Sequence, residues 1–157
     1  MKFKTIICLV FLLCSFPAFA GLPAGSTVTS AACGVSDTCV LYNLGGTSLT
    51  VGSGANLAAA KTSGSDWCDA QVTAYGTIKT SYQDMTTALA GAPGATHAGT
   101  DGWGTAITIN EYTVGGVVYY LQSTEVSADT THYNELITNV NNAVTFLGDL
   151  KAAVNAL

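Results

Sequence analysis

Apolar residues in the last thirty positions of the chain step by three and four without a break: Tyr133, Leu136, Val140, Ala143, Leu147, Leu150, Val154 and Leu157. That spacing puts them on one side of a helix, which we expect to begin at Ser127 or Asp129, either of which can cap it. A second stripe, Cys68, Gln71 or Val72, Tyr75, Ile78, Tyr82, Met85 and Leu89, predicts another long helix. Ser65 or Asp66 would cap its start, and Gly91 and Pro93 mark its stop. Each stripe needs a cover, because burying a large aliphatic side chain is worth about 1.5–3 kcal/mol. Gly76 and Gly148 lie beside the stripes at about 1 kcal/mol each relative to alanine, a cost that close approach of a neighbouring element would offset.

Ahead of each helix the pattern changes to β-rich runs. Val28–Ala32 predicts a first strand. Cys39–Leu44 and Thr47–Val51 flank Gly45-Gly46, and Thr105–Val114 and Val117–Thr124 flank Gly115-Gly116, so both read as hairpins on two-residue turns. Residues 52–64 read as a connection and 91–104 as a glycine-rich loop. The order strands, helix, hairpin, helix predicts an α+β fold: an antiparallel sheet of two Gly-Gly hairpins plus an N-terminal strand, with two long amphipathic helices packed on one face. The recurrence of hairpin and helix hints at an internal duplication, although the residues align poorly when the turns are superposed.

The first twenty residues follow a different rule. Lys2 and Lys4 precede an apolar run, Ile6–Phe16, and Ala18-Phe19-Ala20 makes a small-x-small cleavage site, the layout of a secretory signal with the mature chain starting at Gly21. The run is too short for a span of about twenty residues. Leu13 before Cys14 argues against a lipoprotein signal, and the residues after Ala20 lack the acidic position of a type IV pilin leader. Removing twenty of 157 residues leaves 137, read as a single α+β domain, 21–157. We expect it secreted, extracellular or periplasmic, with no stable membrane insertion after cleavage.

Charge narrows the partners. The five Lys+Arg are all lysines, and removal of the signal leaves three of them against ten acids, a formal charge of −7. Without arginine there is no bidentate clamp for phosphate, and an acidic chain repels a polyanion, so nucleic acid is excluded. Cys33, Cys39 and Cys68 remain in a compartment that permits disulfides. Cys33–Cys39, closing a short turn-like spacer at roughly 2 kcal/mol, is the first expectation; Cys33–Cys68 and Cys39–Cys68 are the alternatives. The odd thiol is expected to be buried and inert.

Chemistry is sparse. His97, Asp101 and Trp103 in the 91–104 loop are the candidate ligand-binding residues: a titratable ring, a carboxylate and an indole on a flexible backbone. The competing reading is a solvated crossover with Trp103 in the core. Cys68-Asp69 with His97 or His132 can be drawn as a nucleophile set, but no catalytic signature accompanies it. His97 and His132 lack metal-ligand spacing, and no cofactor motif is present. Between Thr105 and Thr124 the lone formal charge is Glu111, so the hairpin has a poorly protected edge, with Thr108, Thr113, Tyr119 and Tyr120 as candidate interface positions. The expectation is therefore a non-enzymatic, secreted or surface-displayed structural or interaction protein whose partner is protein, including itself. A glycan- or small-ligand-binding module centred on the 91–104 loop is the alternative.

Overall fold

Both hairpins turn on paired glycines for a reason visible in the backbone. Gly45 and Gly46 have φ of 58° and 81°, and Gly115 and Gly116 have φ of 57° and 81°. A two-residue turn that matches strand twist needs positive φ at both positions, which glycine adopts without a Cβ penalty. The computed structural model describes residues 21–157, and the expected signal over residues 1–20 lies outside them. Its elements are strands β1 (Thr27–Ala32), β2 (Thr38–Leu44) and β3 (Thr47–Gly54), helix α1 (Leu57–Ala90), strands β4 (Ala95–Thr100), β5 (Ala106–Val114) and β6 (Val117–Gln122), and helix α2 (Val126–Ala156). This is an α+β fold with the expected antiparallel hairpins, N-terminal strand and two long helices. The strands form two separate three-stranded sheets, β1-β2-β3 and β4-β5-β6. The sixth strand, β4, occupies part of the expected loop.

α1 starts about two turns before the expected cap. Asn56 Oδ1 accepts the Ala59 N–H at 2.9 Å, so Asn56 caps the helix in place of Ser65 or Asp66. The glycine and alanine residues that read as a connection are where β3 meets α1 backbone to backbone. A Cβ on Gly52 would lie 2.5 Å from Gly64 N and 2.7 Å from Gly64 Cα, and one on Gly54 would lie 2.6 Å from Ala59 Cβ. Gly76 and Gly148 face open space instead, so close approach does not explain them.

The described residues divide into two compact units. The first takes the residues up to Gly76 together with Asn141–Leu157, and the second is Thr77–Val140. In the first, the helices cover one face of the sheet: Val40, Tyr42 and Val51 pack with Ala60, Cys68, Leu150 and Val154. Lys151 Nζ meets the Asp69 carboxylate at 2.6 and 2.7 Å, a pair exposed enough to contribute under about 1 kcal/mol. The Cys33–Cys39 disulfide forms, and Cys68 is free and buried. In the second unit, Tyr112 packs with Met85 and Leu89, flanked by Val114, Leu121, Val126 and Tyr133.

Three strands followed by a long helix occur twice, and the correspondence goes beyond element order. The β1–β2 and β4–β5 loops each close with the first residue's N–H on the fifth residue's carbonyl, Cys33 to Asp37 and Asp101 to Thr105, both at 2.9 Å. Around the Gly-Gly turns, Leu44 pairs with Thr47, Asn43 with Ser48, Tyr42 with Leu49 and Leu41 with Thr50. The second hairpin repeats that register as Val114–Val117, Thr113–Val118, Tyr112–Tyr119 and Glu111–Tyr120. Tyr42 and Tyr112, each three residues before its glycine pair, are both buried.

Candidate functional site

Residues directly opposed across paired strands share a face of a sheet. Tyr112 is 5% exposed and sets the core face of the second sheet. Counting by twos from it, the other face carries His97, Ile107, Ile109, Glu111, Val118 and Tyr120. His97 Nε2 lies 3.2 Å from Glu111 Oε2, and its ring centroid lies 6.0 Å from that of Tyr120. One polar pair and one exposed phenol therefore stand among aliphatic side chains, with the Ile107 and Ile109 side chains lying against Gly99.

Asp101 and Trp103 occupy the tip joining β4 to β5. Asp101 Oδ1 accepts the Trp103 N–H at 2.9 Å and the Thr105 N–H at 2.8 Å. Those two bonds, Thr105 first, hold the Asp101 carboxyl below the usual carboxylate range. The carboxylate is thus engaged in building its own loop. Trp103 stands 93% exposed rather than in the core.

Of the interface candidates, Tyr119 and Tyr120 lie on β6, an edge strand. Thr108 and Thr113 lie on β5, the central strand of that sheet. The edge expectation is corrected at Thr108, which β4 covers through Ala98, whereas β4 pairing ends at Glu111 and Thr113 pairs with Val118 alone. Val117, Val118, Tyr119 and Tyr120 are 55, 43, 37 and 63% exposed. Sequence reasoning passed over Val118 and the His97–Glu111 pair. The signal available for the pair was Glu111, the one formal charge in an otherwise neutral hairpin.

Elsewhere the chemistry is muted. Burial first, and the neighbouring Asp69 second, push the Cys68 thiol up from 9.0 to about 11, against a smaller opposing pull from Lys151, so little thiolate forms at neutral pH. An open depression of about 590 Å³ beside Lys61, Ser65, Asp66 and Asn155 has no nucleophile paired with a base. Among the described residues no three His, Cys, Asp or Glu side chains are grouped to hold a metal ion, and no helix is long and apolar enough to cross a membrane. Comparison of the chain with protein-family models, curated proteins and solved structures gives no match.

Proposed function

We propose that this chain is a secreted, non-catalytic structural or interaction protein that self-associates through the sheet of its Thr77–Val140 unit. One observation carries the reading. Of eight large hydrophobic side chains exposed among the described residues, five belong to that sheet and its hairpin tip: Trp103, Val117, Val118, Tyr119 and Tyr120. Exposed apolar residues scattered singly need no explanation, but four of these are consecutive on the edge strand β6 and alternate between its two faces, so an entire apolar edge is left uncovered, the feature that invites strand pairing. The apolar stretch and small-x-small site before Gly21, together with the Cys33–Cys39 disulfide, support export to an oxidising compartment.

Size-exclusion chromatography with light scattering, on residues 21–157 without reductant, tests the reading. Mass that rises with concentration supports it, and a monomer at every concentration overturns it. A second reading rests on the exposed Tyr120 ring beside the His97–Glu111 pair, a polar and aromatic setting suited to a glycan. A monomer whose Trp103 emission responds to soluble oligosaccharides would favour that reading.

A further inference from the structure

The two hairpins supply an internal comparison. Both have a Gly-Gly turn of nearly equal φ, a buried tyrosine three residues ahead of it, and the same pairing register for four residue pairs. Yet the strand after the turn reads Thr47-Ser48-Leu49-Thr50 in one and Val117-Val118-Tyr119-Tyr120 in the other. Both strands lie at the edge of a three-stranded sheet. A polar edge therefore satisfies this hairpin, and the fold does not require the apolar one.

The edge also dictates the shape of what it binds. Val114 and Val117 close the turn, so Val117, Tyr119 and Leu121 direct their backbone groups to β5. Val118 and Tyr120 direct theirs outward. Such a row of donors and acceptors is matched by another extended strand. Residues 112–124 contain no Asp, Glu, Lys or Arg, so the matching strand has no charge to answer, and a chain whose residues 21–157 carry a formal charge of −7 can meet its own copy there with least repulsion. Resting on the self-association reading above, we infer that β6 pairs antiparallel with β6 of a second copy about a two-fold axis at Tyr119.

In that register Val118 opposes Tyr120 of the other copy on the outer face, and every outward N–H of these residues meets a carbonyl. The two Glu111 positions fall about three strand spacings apart across the sheet and two residues apart along it, ~16 Å in all, beyond the screening length of ~8 Å at physiological salt. The two Tyr119 Cα atoms oppose each other as a non-hydrogen-bonded pair about 4.5 Å apart, within reach of a disulfide between cysteines placed there.

The test compares sedimentation of the wild-type chain, Tyr120→Lys and its positional counterpart Thr50→Lys, all as residues 21–157 with folding checked by circular dichroism. Tyr120→Lys is expected to weaken association at least about tenfold, because a lysine desolvated at a paired edge opposes pairing, and Thr50→Lys to leave it unchanged. Tyr119→Cys, mildly oxidised, is expected to give a covalent dimer; Cys68 is buried and does not compete. An associating wild type that neither Tyr120→Lys weakens nor Tyr119→Cys cross-links overturns the β6 interface and leaves the self-association reading standing. A wild type that stays monomeric overturns both.

Discussion

Adding a single methyl group at Gly52 probes the contact that sets the first sheet against α1. The Cβ of an alanine there would fall inside contact distance of the Ala60 carbonyl oxygen and within 2.7 Å of Gly64 N and Cα. All three atoms are backbone, so no side-chain rotation relieves the overlap, and strand or helix must shift. The backbone of Gly52 is not in the left-handed region, so the cost is one of space alone. Overpacking of this kind costs about 1–3 kcal/mol, more than the ~0.8 kcal/mol gained by burying one methyl. For a chain of this size we predict that Gly52→Ala lowers the melting temperature by about 4–12 °C, taking about 4 °C per kcal/mol. Thermal and urea denaturation followed by circular dichroism measure it directly. A variant that melts at or above wild type would refute the backbone-to-backbone packing of Gly52 on Gly64.

Gly148→Ala is expected to act in the opposite sense: the position is exposed and helical, with nothing within 4 Å of a new Cβ, so stability should rise by about 0.5–1 kcal/mol in urea titration. No gain, or a loss, would show that Gly148 has a packing role after all. Cys68 predicts an alkaline weakness, because its folded thiol titrates at about 11 against 9.0 when unperturbed. The unfolded state loses its proton first, so the stabilisation is complete below about pH 9 and disappears as pH rises to 11, a loss of at most about 2–3 kcal/mol. Cys68→Ala should flatten the stability profile in that window, and an unchanged slope would contradict the assignment. Asp101, whose folded carboxyl titrates below the usual range, contributes stability above its unfolded pKa that is lost as pH falls through the folded value. An NMR titration should find the Trp103 and Thr105 amides shifting together at that low midpoint; an ordinary midpoint near 3.9 would show that the loop does not depend on the carboxylate.

The two helices were legible because their stripes carry large apolar residues at helical spacing, and Leu147, Leu150, Val154 and Cys68 are indeed almost fully buried. The hairpins were legible because glycine pairs between β-rich runs have a specific backbone use, and Cys33–Cys39 because its spacer is short. What escaped has a common cause. Ala95–Thr100 shows no alternation of apolar and polar residues, since its neighbours Ile107 and Ile109 supply the bulk that lies over Gly99. Gly52, Gly54 and Gly64 read as parts of a connection, although they permit close packing that only the tertiary structure displays. Missing β4 hid the His97–Glu111 pair and made Thr108 look like an edge position. Which hairpin shares a sheet with which is likewise a tertiary choice with no periodic trace.

Amide hydrogen exchange resolved by residue tests self-association through β6 most directly. The outward amides of Val118 and Tyr120 are expected to exchange fast in dilute protein and to become protected as concentration rises, while Tyr119, bonded to β5, stays protected throughout. Ser48 and Thr50, their counterparts in the polar hairpin, should exchange fast at every concentration. Val118 and Tyr120 amides that exchange at one unchanging rate from dilute to concentrated solution would contradict pairing at that edge.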